Sequence, residues 1–403
     1  MKRYVIVTPY FPSLGDWRGA YCLDFVKALE RKLGAAGGWK VDVFTEGRVD
    51  DYEVDGVKVH VFPARRLPSN VMPQLFARAN QRSFMDALRR AGIAAGDVAV
   101  CHAHVANYGI YALAVKAENA RCRTLLHHHC LQSFGLNGGR LRGLWPYNAV
   151  QFALLRRMHE AIDVHVFISD LARQSFLAAP DASWTDYEDY RRQMRGLGLC
   201  RPAKVRDTIV LHNGVDKRMF NVGEKKPHEG FVIGCVGNFL DMKGQMSLLE
   251  AVGLLGTGNG ERGTGNGDVK VVFVGSGKER GKCERYAREK GIDAEFRDEV
   301  RHEDLPDFYR GLDLFALPSF FEGFGCVYTE AHSCGVPFIA CERQGIGEVL
   351  PPEERGRWLC RPRDAGDLAR KIQGYMENRW VQNLSEDQDI DKLVGAFVDR
   401  LQP

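Results

Sequence analysis

The stretch LFALPSFFEGFGCVYTEAHSCGVPFIACERQGIGEVL, residues 314–350, holds a strand, a glycine-flanked acidic loop, a short helix and a second strand. Two carboxylates stand out, Glu322 in the loop and Glu330 eight positions later. A helix beginning near Gly325 carries Glu330 on its second turn, facing back toward the loop that holds Glu322, so both acids border one pocket. Gly323 and Gly325 remove side chains where the helix begins, which leaves backbone N–H groups for an anionic or hydroxyl-rich ligand. The two acids also fit an acid and base pair for glycoside hydrolysis, but their separation in sequence does not give the carboxyl distance on which that chemistry depends.

Outward from this unit, apolar runs alternate with helical patterns along the whole chain. In the N-terminal half, strands are expected at 3–8, 40–44, 57–62, 98–102, 122–127 and 164–168, and helices at 21–33, 74–91, 108–118, 149–161 and 171–178. Such alternation implies a doubly wound parallel sheet. Residues 179–206 are polar and lose periodicity, as an irregular insertion would. A strand at 208–211 leads into HNGVD, and after the charged linker GEKKPHEG the alternation restarts at Phe231. The expected division is 1–207 and 208–384, with a final helical segment, 385–403, returning to the first domain. The glycine-rich segment 256–268 follows a helix and precedes a strand, so it reads as a surface connection. Gly275-Ser276-Gly277-Lys278 lacks the first glycine of a phosphate-binding loop and the Ser or Thr after the lysine, which excludes an ATPase of that type.

A chain of 403 residues exceeds one ordinary core, and two domains of roughly 200 residues are the prior. Apolar content of 45% with 27% charge is globular, and a net charge of +3 argues against a polyelectrolyte binder such as a nucleic-acid protein. Eleven cysteines, scattered and never in C-x-x-C pairs, disfavour a zinc site or a disulfide framework and suit reduced thiols in a cytosol. Residues 1–10 have too short an apolar run for a signal segment, and no uncharged apolar stretch approaches twenty residues.

Open α/β sheets bind ligands at the carboxyl ends of their strands, and the noteworthy residues gather at such ends: Gly19, His129, Asn213, Lys243 and the 322–325 loop. In order and spacing these residues resemble the family 4 glycosyltransferases, retaining enzymes of the GT-B fold. The E-x7-E motif, EGFGCVYTE from Glu322 to Glu330, is followed by Ala331, Gly335 and Pro337. LPS at 317–319, HNGVD with Phe220, VGNFLDMKG, VFVGSG and GIGEV at 345–349 complete the series. The resemblance implies two facing Rossmann-like domains with a cleft between them, the N-terminal one binding acceptor and the C-terminal one a nucleotide-sugar donor.

By the same resemblance Glu322 and the amides of Gly323, Phe324 and Gly325 contact the donor sugar, Glu330 grips the ribose hydroxyls, and Lys243 neutralises the departing diphosphate. Carboxylates accept paired hydroxyl hydrogen bonds, and amides at a helix start suit phosphate charge. Asn238 stands where the family usually has arginine; it donates to a phosphate oxygen without supplying charge, so either Arg18, beside Gly19, or another basic residue substitutes, or leaving-group stabilisation is weaker. Gly19 joins the donor-binding set. HHHC at 127–130 aligns His129 with the histidine beneath the donor sugar, while Cys130 and Gln132 depart from the pattern. Successive strand residues point to opposite faces, so the three adjacent histidines do not converge on one metal ion, and no metal is expected. His102 and His104 share one strand face and are expected to line the acceptor cleft or the core rather than to bind zinc.

The implied activity is metal-independent transfer, without a cofactor, of a sugar from a nucleoside diphosphate sugar to a hydroxyl of a glycan or glycolipid acceptor, as in cell-surface polysaccharide or glycolipid synthesis. Non-catalytic sugar-nucleotide binding and sugar-nucleotide epimerase or hydrolase chemistry are the alternatives. Arg140, Arg142, Arg156 and Arg157 interleave with Leu141, Leu144, Trp145, Phe152 and Leu155, a mix that suits a peripheral contact with the inner face of a membrane as well as an ordinary amphipathic helix. Side chains that read the base, sugar and acceptor are expected in loops 61–80, 131–148 and 179–206.

Overall fold

The computed structural model describes residues 1–13, 19–67, 74–131, 147–177, 204–255 and 269–401, with 147–149 and 152 described by their backbone. Arg18, Gln132, the arginines at 140 and 142, the insertion through 203 and the glycine-rich segment 256–268 lie outside the described residues. Two compact units emerge, one from residues up to Gly214 together with Ile390–Leu401, the other from Val215–Asp389.

The first unit is an eight-stranded sheet in the order β3-β4-β2-β1-β5-β6-β7-β8. Its strands are β1 (Lys2–Val7), β2 (Trp39–Glu46), β3 (Tyr52–Val54), β4 (Val57–Phe62), β5 (Val98–His104), β6 (Arg123–His128), β7 (Val164–Phe167) and β8 (Thr208–Val210). Around them run α1 (Ala20–Ala36), α2 (Ala77–Arg90), α3 (Gly109–Glu118), α4 (Tyr147–Ala161) and α5 (Asp170–Leu177). Apolar runs such as YVIV in β1 are buried on both faces, as parallel strands covered by helices must be.

Two sequence expectations change here. The sheet is not wholly parallel, because β3 pairs antiparallel with β4 through Asp55 and Gly56, both at positive φ, which is the two-residue turn that closes a hairpin. The boundary also moves from 207/208 to 214/215, because Thr208–Val210 hydrogen-bonds to β7 and completes the first sheet. The C-terminal helix Ile390–Leu401 belongs to this unit and lies against α1, with Phe397 and Phe25 6.1 Å apart and Arg31 and Lys32 paired to Asp391 and Asp399.

The second unit is a six-stranded parallel sheet in the order β11-β10-β9-β12-β13-β14. Its strands are β9 (Phe231–Val236), β10 (Val269–Val274), β11 (Ala294–Arg297), β12 (Leu314–Ala316), β13 (Phe338–Cys341) and β14 (Leu359–Cys360). Since β9 and β12 are neighbours at the centre of the sheet, the loops at their carboxyl ends lie side by side. These are the loops with Lys243 and Glu322. Among the described residues no helix is long and apolar enough to cross a membrane.

Candidate functional site

The loop after β9 is tied down at both edges. Gly237 N–H donates to Val274 O at 3.0 Å and Phe239 N–H to Ser276 O at 2.7 Å, so the VGNF and VGSG turns are fastened together. Gln245 donates back to the carbonyls of Gly237 and Asn238. The chain then makes a 3-10 turn, Asp241–Lys243, and enters the helix Gln245–Leu255 through Gly244 at φ 73. A Cβ at Gly244 would lie 2.3 Å from Pro318 O, so the approach of the β12 loop requires glycine there. That approach is sealed by Phe320 N–H and Ser319 Oγ, which donate to Met242 O at 3.0 and 3.1 Å.

The consequence is an ion pair between Lys243 Nζ and Glu322 Oε2, whose side chains remain 22% and 17% exposed. Both groups keep access to a ligand. The backbone of Glu322 is gripped by Gln344, from the loop after β13: Glu322 N–H donates to Gln344 Oε1 at 2.6 Å, and Gln344 Nε2 donates to Phe320 O at 3.1 Å. The helix Cys326–Ser333 starts one turn on, capped by Gly325 at φ 85, where a Cβ would lie 2.6 Å from the Tyr328 ring and 3.2 Å from Glu322 Cγ. Gly323 is buried and the Phe324 side chain is fully so.

Glu330 lies on the second turn of this helix. It is buried, accepting from Tyr309 O–H at 2.9 Å on Oε2 and lying 3.6 Å from His302 Nε2 through Oε1. Burial and the nearby carboxylate raise the Tyr309 hydroxyl well above its ordinary range, so it stays protonated and donates. Asn238 is exposed and its carbonyl accepts from Leu240 N–H and Gln245. Sequence reasoning missed Gln344, Tyr309 and Arg363. The Arg363 guanidinium lies 4.2 Å from the Phe320 ring centroid and 3.4 Å from Asp241, which places a second cation at the edge of the loop pair. A cavity of about 750 Å³ in this unit, bordered by Gly230, Lys270, Asp293 and Asp307, lies at the amino ends of the strands, away from these loops.

In the first unit Gly19 caps α1 at φ 91, with its Cα facing the Tyr10 carbonyl so closely that a Cβ would lie 2.6 Å away. His129 follows β6, stacked on His127 at 4.1 Å and hydrogen-bonded through Nε2 to His104 Nδ1 at 3.0 Å. Burial pushes its imidazole down to about 3, so it is neutral at physiological pH and offers a hydrogen bond rather than a charge. Alternation sends His128 to the other face, where it meets His165 at 2.9 Å and the Phe176 ring.

Residues 19–181 match the family described as Glycosyltransferase Family 4, and residues 216–391 the family described as Glycosyl transferases group 1. The D-inositol 3-phosphate glycosyltransferase of Mycobacterium tuberculosis is 28% identical over 212 residues, 47% of this chain. The match spans 41% of that relative's length. Among solved structures, a sucrose-phosphate synthase from Thermosynechococcus elongatus superposes with TM-score 0.65 at 19% identity, covering 100% of this chain and 95% of that one. A UDP-forming trehalose-phosphate synthase from Burkholderia xenovorans gives 0.66 at 14%, covering 100% and 99%. The Anabaena protein HepE in complex with UDP and glucose gives 0.60 at 15%, covering 98% and 94%.

Proposed function

The chain belongs to the family 4 glycosyltransferases with the GT-B fold, and from that premise we propose that it is a retaining transferase acting on a nucleoside diphosphate sugar. The observation that carries this reading is the Lys243–Glu322 pair, held at the carboxyl ends of adjacent central strands and clamped through Gln344. Bound donor opens the pair. Lys243 turns to the diphosphate and Glu322 accepts from sugar hydroxyls, while amides of Gly323–Gly325 face the phosphate at the start of the helix. The C1–O bond to the diphosphate breaks with its electron pair going to the leaving group. A bond from the acceptor oxygen to C1 forms on the same face, and the hydroxyl proton passes to a diphosphate oxygen. Neither a metal nor a protein nucleophile is needed for this step. Glu330, aligned by Tyr309, anchors the ribose.

The UDP and glucose in HepE support a uridine diphosphate sugar as donor. The acceptor is a hydroxyl of a glycan or lipid-linked glycan, in cell-surface polysaccharide or glycolipid synthesis. On α4, Val150 and Leu154 are 57% and 39% exposed one turn apart, with Arg156 and Arg157 exposed beside them. That pattern supports peripheral contact with the cytoplasmic face of a membrane. The missing cation at Asn238 favours one further reading, a sugar-nucleotide-binding protein without turnover.

Calorimetric titration with nucleoside diphosphate sugars of each base tests the donor reading. One donor is expected to bind with about 1:1 stoichiometry and to lose affinity in Glu330→Gln by roughly tenfold, the worth of about one hydrogen bond to a charge. Absence of binding across the panel would sink it.

A further inference from the structure

We propose that His102, His104 and His127 bind one divalent transition metal ion of the zinc class inside the first unit. The ligand set comes from register. His102 and His104 lie two apart on β5 and share a face, and His104 is paired with His127 on β6, so three imidazoles line one side of two adjacent strands. Their side chains are 0%, 0% and 3% exposed, and one ring nitrogen from each lies within 4.8 Å of the others.

Their hydrogen bonding divides the ring nitrogens into held and unheld. His102 Nδ1 meets Tyr4 O–H at 2.9 Å and His104 Nδ1 meets His129 Nε2 at 3.0 Å, whereas His102 Nε2, His104 Nε2 and both nitrogens of His127 have no partner. Buried polar atoms are rarely left so, and an imidazole fixed at one nitrogen by an outer partner with the other open is the pattern of a metal-binding histidine. Beside the three rings lies a cavity of about 20 Å³, bordered by Cys22, Phe25, His104, His127 and His129, large enough for one water or one ion.

Alternation along HHHC is obeyed, since His128 points away; the ligands that join His127 come from the neighbouring strand, which the run alone does not reveal. Cys22, His104 and His129 form a second close group, with Cys22 Sγ 3.5 Å from His104 Nδ1. Its hydrogen-bonded atoms already satisfy one another. An ion on His104 Nε2 leaves the proton on Nδ1, which then donates to His129 Nε2 and fixes the His129 tautomer. The assignment of this site does not rest on the transfer reading and stands whether or not that reading does.

The full-length chain, stripped with chelator and dialysed against zinc, is expected to retain about one equivalent by mass spectrometry of the metal. His102→Phe and His127→Gln lower this at least tenfold, whereas His165→Gln, on the opposite face, leaves it unchanged. Cobalt loading of the unmodified chain gives a measurement that needs no variant: tetrahedral visible bands without a thiolate charge-transfer band are expected. Retention of no metal above the His102→Phe background overturns the site, and a thiolate band overturns the ligand set by moving it to Cys22.

Discussion

Lys243 and Glu322 each present a charge that the other neutralises until a ligand arrives, so deleting one leaves its partner unopposed at the mouth of the site. Lys243→Ala is expected to lower kcat/KM by about 10²–10³, the usual loss for one preorganised group facing developing charge, while circular dichroism stays native. The double variant with Glu322→Ala should lose less than the sum of the single losses, because the two side chains act as a unit. Tyr309→Phe leaves the buried Glu330 carboxylate short of a donor; it is expected to cost about 1.5–3 kcal/mol in denaturant unfolding of the second unit. An unchanged midpoint would remove Tyr309 from the account. Glu322, Glu330 and Lys243 were legible in the sequence as candidates, because they match the motifs of the family it resembles. Gln344, Tyr309 and Arg363 were not, because each reaches the site from another loop or helix, and their contribution depends on sheet order and on where a side chain ends.

The turn into the helix Cys326–Ser333 is the most constrained element of the site. Gly325→Ala would force a side chain at φ 85 against the Tyr328 ring and is expected to destabilise by about 1–3 kcal/mol and to weaken donor binding. Gly356→Ala, with nothing within 4 Å of the added carbon, serves as the control and should be neutral or mildly stabilising in the same denaturant experiment. Element positions were well anticipated wherever an apolar run was long: β4 coincides with its expected bounds, β9 begins at the expected Phe231, and the helix after Gly325 starts one residue on. The hairpin at Tyr52–Val54 was missed although Asp55-Gly56 signals it, since three residues of strand carry too little pattern. The strand Thr208–Val210 was seen but assigned to the wrong unit, as a three-residue run does not say which sheet it joins.

At the scale of the whole molecule, the histidines divide unequally. His102, His104, His127, His128, His129, His159 and His165 of the first unit are all depressed, chiefly by burial, with His165 down to about 4. In the second unit His332 is shifted the same way. A depressed histidine pKa means that the unfolded chain binds more protons, so the stability is fully present above about pH 6.5 and is lost as pH falls toward the folded values near 3 to 4, at about 1.4 kcal/mol per unit for each group. Between pH 7.5 and 5.5 the unfolding transition of the first unit should therefore fall further than that of the second, as read by calorimetry or by amide exchange resolved to each unit. Equal shifts would contradict the neutral, buried state of these rings.

The proposed reaction is sugar transfer with retention by way of Lys243 and Glu322. The most direct test incubates the chain with the nucleoside diphosphate sugar it binds and a set of glycan and lipid-linked acceptors, and follows the product by NMR. Nucleoside diphosphate released in step with a glycoside of the donor's own anomeric configuration, dependent on acceptor and lost in Lys243→Ala, is the result expected; an inverted anomer, release without acceptor, or full activity in Lys243→Ala would contradict it.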